Sequence, residues 1–116
     1  MEHRDTHATA QFLKDQNACA WIRDFVAHFA NPVRIKILCR LMQGPACVTE
    51  LIEATGERQS TVSQQLKHLL LAGIVDREGC GTKNFYRIKD PVVPDTMGFF
   101  AEIARNAGRI SQQPAS

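Results

Sequence analysis

The chain has 116 residues, of which 44% are hydrophobic and 22% charged, with a net charge of +2. That describes one domain of ordinary soluble composition, long enough for a core yet small enough to lean on a partner. No apolar run approaches the ~20 residues that span a bilayer and the first twenty residues lack a signal-peptide layout, so a cytoplasmic chain with no membrane role and four unbridged cysteines is expected.

The N-terminal "MEHRDTH" reads as loose, and so does the C-terminal "SQQPAS". Between them the apolar period predicts a first helix over 8–29, carried by Trp21, Ile22, Phe25, Val26 and Phe29. "NPVRIKILCRLMQGP" carries its own punctuation. Asn31 is an N-cap, Pro32 takes the first helical position, and Gly44-Pro45 stop the helix. Over 45–73 come a short helix, "TELIEATG", closed by Gly56 as a left-handed cap, and a longer one, "QSTVSQQLKHLLLAG". In the longer helix Val62, Leu66, Leu69 and Leu70 form a buried stripe, with Ser60, Gln64, Lys67 and His68 roughly opposite. A hairpin is predicted over 74–89, with Ile74-Val75 and Phe85–Ile88 as strands around the reversal "EGCGTKN". After "DPVVP" a last helix runs over 94–109 through Met97, Phe100, Ile103 and Ala104. The expected fold is mainly α with a small β-hairpin, in the order α-α-α-α-β-β-α, as a single domain.

The charge is unevenly spread. Residues 1–56 balance to zero and 90–116 sum to −1, whereas 57–89 hold six Lys/Arg against three Asp/Glu. The basic excess therefore coincides with the second helix of the pair and the hairpin. A short helix, a tight turn and a helix with a polar outer face form a helix-turn-helix, whose second helix has the width of the DNA major groove. Gln pairs with adenine and Ser or Thr with several base edges or phosphates, and a basic hairpin beside them reaches flanking backbone. A merely solvated face is the competing reading. It is less favoured because this face lacks acidic residues, follows a turn of the right length and leads into a basic hairpin.

The stretch "HFANPVRIKILCRLMQGPACVTELIEATGERQSTVSQQLKHLLLAGIVDREGCGTKNFYRI" resembles the ArsR/SmtB family of winged-helix repressors over about sixty residues. "NPVRIKIL", "STVSQQLKHLLLAGIV" and the closing "FYRI" are its most specific parts. The resemblance implies a winged helix-turn-helix homodimer joined through its first and last helices. It also implies binding to double-stranded operator DNA, with repression relieved by a metal, a metalloid or a small reactive species. Carried onto this chain, it gives base reading to Gln59, Ser60, Ser63 and Gln64, and phosphate contact to Lys67. Thr61 and His68 become lesser contacts, and Arg77, Lys83 and Asn84 wing contacts. Two positions depart from relatives: Arg58 stands where a capping serine is frequent, and Gln65 replaces a frequent histidine, a change expected to alter base preference.

What is sensed is less plainly written. Zinc-sensing members use His/Asp/Glu clusters on the last helix, where this chain offers only Asp95 and Glu102 and no histidine, so such a site is disfavoured. Cys19, Cys39, Cys47 and Cys80 show no C-x-x-C spacing. Cys47 matches the first cysteine of the family's arsenic-sensing "CVC", with Thr49 in place of the second. As(III) or Sb(III) favours three thiolates, so Cys47 would need help, for instance from Cys19 across a dimer. Cys39 matches one of two cysteines in the sulfide- and oxidant-sensing branch, whose partner position on the last helix holds only alanines here. Pairing of Cys39 with Cys47, or a single-thiolate response to a persulfide or oxidant, stays open. So does plain packing, since free cysteine is often a small core hydrophobe, Cys39 above all. Cys80, between two glycines, is expected to be exposed beside Arg77 and Lys83. His3, His7 and Cys19 make an N-terminal metal site or simply a tail. Trp21, Phe25 and Phe29 read as core or dimer interface.

An enzyme is not expected. No phosphate loop, paired carboxylates or Ser/His/Asp set is present, and nothing places Cys39 or Cys47 beside His28 or His68 as a nucleophile pair. The rival is a winged-helix module for protein docking, or a repressor without cysteine sensing.

Overall fold

The computed structural model describes residues 6–111, so the expectations for His3 and for the tail beyond residue 111 fall outside the described residues. Helices α1 (Thr6–Phe12), α2 (Gln16–Ala27), α3 (Pro32–Leu41), α4 (Val48–Thr55) and α5 (Gln59–Leu71) precede a hairpin of β1 (Val75–Cys80) and β2 (Lys83–Ile88), and α6 (Val92–Asn106) follows.

The single helix expected over 8–29 is two. Asp15 breaks it: its carboxylate accepts the N–H of Ala18 at 3.0 Å and caps α2. Such a side chain satisfies one of the donors that a new helix leaves open, which makes a restart cheap. The apolar period is no guide here, because α1 buries none of its residues. The last helix also shifts from the expected 94–109 to Val92–Asn106, with Asp90 accepting the N–H of Val92 at 3.0 Å and Pro94 tolerated in the first turn.

Elsewhere the punctuation is as read. Asn31 Oδ1 accepts the N–H groups of Val33 (2.9 Å) and Arg34 (3.3 Å), and Pro32 begins α3. Replacing Asn31 with Ala is expected to cost about 1 kcal/mol of stability, read as a lower urea midpoint at unchanged slope. An unchanged midpoint would show that the cap contributes nothing.

The α4–α5 turn is closed by backbone chemistry. Thr55, buried, donates to the Leu51 carbonyl (2.7 Å) and accepts from the Glu57 N–H (3.2 Å), while Gly56 takes φ +73°, a left-handed conformation costly for other residues. Ile37, Leu38 and Leu41 of α3, Leu51 of α4, and Val62, Leu66 and Leu69 of α5 meet in one core with Ile74, Val75, Tyr86, Val93 and Met97. Leu70 packs against its edge.

The strands are longer than Ile74-Val75 and Phe85–Ile88, although Ile74 itself lies just before β1 and outside the ladder. Antiparallel pairing runs from Val75↔Ile88 to Cys80↔Lys83, leaving only Gly81 and Thr82 in the turn. Asp76–Gly79 carries no apolar alternation, so a ladder held by backbone bonds leaves little trace in the side-chain pattern. A bridge between Ala46 and Tyr86 (Ala46 N–H to Tyr86 O, 3.0 Å; Tyr86 N–H to Ala46 O, 2.8 Å) ties the wing to the loop before α4. The architecture is a winged helix-turn-helix. Among the described residues no helix is long and apolar enough to cross a membrane.

Candidate nucleic-acid interface

The buried stripe Val62–Leu66–Leu69 fixes how α5 faces the rest of the chain. At 100° per residue, Ser60, Gln64, Lys67 and His68 then project from the opposite half, and all four are exposed, as are Gln59 and Ser63. Ser63, exposed, and Thr61, half-buried, lie on the two flanks. The His68 ring sits 5.6 Å from that of His28, so this side chain also takes part in packing between helices.

Gln65 has a different task from the one expected. Its Oε1 accepts from Arg34 Nε at 2.7 Å, so the amide is engaged within the chain rather than presented to bases. Position 65 lies about 60° from the stripe, close enough to reach α3. Arg58 occupies the N-cap of α5 without a side-chain cap bond. The first turn's N–H groups thus lack the side-chain acceptor that a serine would supply, and such groups are ready donors to phosphate.

No residue of α5 is acidic. Around it the charges sort themselves by pairing. Glu57 pairs with Lys36 of α3 (3.2 Å), and Arg87 lies between Asp76 (3.9 Å) and Glu78 (3.7 Å) on the wing. Three of the acidic groups that would oppose DNA in this region are therefore occupied. Arg58, Lys67, Arg77 and Lys83 have no carboxylate within ion-pair distance among the described residues. Lys83 and Asn84 stand at the wing tip beside the two-residue turn, and Arg77 on the facing strand. Lys89, just past β2, is likewise without an ion pair among the described residues, so the basic excess read from residues 57–89 rests on five side chains, four of which flank the exposed amide and hydroxyls.

The cysteines do not assemble. Cys19, Cys39 and Cys80 are exposed, Cys47 is buried, and none is bridged. Cys39 is not core: on α3 it points about 150° away from the face made by Ile37, Leu38 and Leu41, so it also points away from the interior that encloses Cys47. A Cys39–Cys47 pair is not formed. Partial burial pushes the Cys39 thiol above its ordinary value, which lowers its thiolate fraction at neutral pH.

Cys47 begins α4, where its N–H donates to the Glu50 carboxylate at 2.9 Å. That bond, then one from the Cys47 thiol, with the charges of Arg40 and Lys83 beyond, holds Glu50 below the usual carboxylate range. A cavity of about 230 Å³ separates this corner from Thr82, Lys83, Asn84 and Tyr86 of the wing. The Cys19 thiol donates to the Phe12 carbonyl (2.8 Å) in the α1–α2 corner. Among the described residues no three His, Cys, Asp or Glu side chains form a group that could hold a metal ion. His7 and Cys19 therefore gain no third ligand within the described part of the chain.

Sequence reasoning missed Arg34 and His28. Each acts across helices separated by some 30 or 40 positions, and a periodicity within one helix carries no sign of that.

Comparison with known proteins agrees with this geometry. Residues 31–77, from the α3 cap into β1, match the pattern described as bacterial regulatory protein, arsR family. The regulator NmtR of Mycobacterium tuberculosis is 38% identical over 76 residues, which are 66% of this chain and 63% of NmtR. The repressor SmtB of Mycobacterium tuberculosis is 44% identical over 61 residues, 53% of this chain and 45% of SmtB. The chain thus spans between about half and two thirds of the length of these relatives. The solution structure of apo-NmtR superposes with a TM-score of 0.71 at 31% identity, covering 88% of this chain and 87% of that one. The crystal structure of AntR, an antimony-specific transcriptional repressor, gives a TM-score of 0.77 at 26% identity, covering 95% and 94%. Sequence, fold and the layout of the helix-turn-helix agree: this chain belongs to the ArsR family of bacterial regulatory proteins.

Proposed function

We propose that the protein is a non-enzymatic, dimeric transcriptional repressor that reads operator DNA with α5 and grips flanking phosphate with the wing. The observation that carries this reading is the acid-free outer face of α5, with Ser60, Ser63, Gln64 and Lys67 exposed between unpaired Arg58, Arg77 and Lys83. Gln59 and Asn84 extend that face at its two ends, and Thr61 borders it. A helix this wide, presenting amides and hydroxyls, matches what the major groove displays.

Dimerisation is supported by where the apolar surface lies. Trp21 is 59% exposed, and Val26 on α2 and Phe99, Phe100 and Ile103 on α6 are exposed as well. Phe29, two residues past α2, packs edge-on against Phe100 of α6 at 5.4 Å. A patch of large side chains on the first and last long helices is costly to leave in water and suits a second copy.

The inducer we assign is a thiol-reactive species, a persulfide or oxidant, or a thiophilic metalloid such as As(III) or Sb(III). AntR, named for antimony, supports the metalloid side of that choice. No thiolate trio exists within one chain, so a metalloid site would draw cysteines from both protomers, with Cys19 and Cys47 the candidates. The raised thiol of Cys39 makes it a slower nucleophile than its exposure suggests. Cys80, at the wing tip, is where modification would meet DNA directly.

The test is fluorescence anisotropy of the reduced protein on its own upstream DNA, repeated with arsenite, antimonite and a persulfide donor. Release by one reagent that is lost in a single Cys→Ser variant supports this function and names the sensing thiol. Tight binding unmoved by all three removes cysteine sensing. Absence of duplex affinity favours the docking module instead. For the wing, Lys83→Ala should weaken binding about equally on all sequences and reduce the salt slope by about one. A loss confined to particular operator variants would instead make the wing a base reader.

A further inference from the structure

Besides its buried stripe, α5 is held at a second place. Arg34 of α3 donates from Nε to Gln65 Oε1 (2.7 Å) and from Nη1 to the carbonyl of Ala27, the last residue of α2 (3.1 Å). One residue past Ala27, His28 packs against His68, three residues past Gln65, with ring centroids 5.6 Å apart and planes inclined by 60°. One guanidinium and two imidazoles therefore join the end of α2, the start of α3 and the middle of α5. Nδ1 of His28 is buried without a hydrogen-bond partner. A neutral ring tolerates this as an unused lone pair, whereas a protonated ring would bury an N–H with no acceptor.

Resting on the DNA-binding function above, we propose that Arg34 is a positioning residue that sets α5 against α2, and that protonation of His68 where it packs on His28 loosens this hold and weakens DNA binding at mildly acidic pH. The charges that act on His68 are cationic, those of Arg34 and His28. A proton on either ring faces the other ring and Arg34, and Lys67 neighbours His68 on α5. His28 shares the lining of a cavity of about 180 Å³ with the carboxylates of Asp24 on α2 and Asp90 at the wing root. Neither forms an ion pair with His28 or His68.

Desolvation where the ring packs, then the charges of Arg34 and His28, hold His68 below its ordinary 6.5. The packed arrangement therefore favours the neutral ring. Its contribution is complete above about pH 6.5 and is lost as pH falls through the lowered value. The direction is diagnostic, because added positive charge by itself strengthens phosphate binding. A fall in affinity on acidification runs against that background.

The experiment is anisotropy of the full chain on duplex from its own upstream region, from about pH 8 to about pH 5.5 at constant ionic strength. The wild-type chain should lose affinity by at least about fivefold, the low end of ordinary coupling between two sites. His68→Gln should be flat or gain affinity. Wild-type affinity that holds or rises, or a fall of equal size in His68→Gln, overturns the proposal. Ring-proton NMR titration supplies a readout without DNA: the His68 midpoint should move up in Arg34→Met and, by breaking the same bond from the other side, in Gln65→Leu. An unmoved midpoint in both variants removes the positioning role. If the chain binds no duplex at about pH 8, the DNA-binding function fails and the NMR titration alone decides the junction.

Discussion

Leu66→Ala is expected to destabilise the protein by about 2–5 kcal/mol, the range for emptying a fully packed leucine site. Leu66 is 1% exposed and lies between Val62 and Leu69 on the buried face of α5. There the helix meets α3, α4 and the root of the wing, so neighbours from several elements line the hole and none can close it alone. Domains of this size hold about 5–15 kcal/mol in total. Each kcal/mol lost lowers Tm by about 4 °C. Thermal and urea melts should show the loss with little change in the urea slope. A shift below about 1 kcal/mol would mean that α5 is not anchored by this stripe, and the orientation of its outer face would have to be reconsidered.

Gln64→Ala should do the opposite: leave Tm within about 1 °C, as exposed substitutions generally do, and weaken operator binding by about 1–3 kcal/mol. Gln64 is exposed on the side of α5 remote from the core and makes no bond to the rest of the chain among the described residues. The loss should fall on one base pair per half-site, so a panel of single-base operator variants would show discrimination vanishing at that position alone. Ser63→Ala should act similarly at a neighbouring base, with a smaller effect, since a hydroxyl makes one bond where an amide makes two. Equal affinity of Gln64→Ala and wild type across the panel would remove base reading from this residue. The pair Leu66 and Gln64, two residues apart, separates folding from reading on a single helix.

The sensing thiols show the limit of matching motifs to positions. The family resemblance gives Cys39 and Cys47 each the place of a sensing cysteine, yet one points outward with its proton held more firmly and the other is enclosed at the start of α4. Reactivity depends on the surroundings of the sulfur, and those come from chain segments that the motif does not contain.

What the sequence by itself determined follows from local chemistry. Asn31-Pro32, Gly56 and the stripe on α5 are capping, backbone and periodicity effects that act within a few residues, and each is found where the pattern places it. The exposed face of Ser60, Gln64, Lys67 and His68 follows from that stripe by helical geometry alone. Tertiary structure decided the rest. The break at Asp15 left no mark on an apolar period that begins only later, and the outer hairpin is held by backbone bonds indifferent to side chain. Gln65 turned from a base-reading position to a bond with Arg34, and His68 came to rest on His28. Arg87 was cancelled by Asp76 and Glu78, which left Arg77 and Lys83 as unpaired cations on the strands of the wing, with Lys89 at its foot. Each of these outcomes depends on groups brought together from distant parts of the chain or across a ladder. Pairing of that kind is settled only when the core fixes where the helices and strands lie.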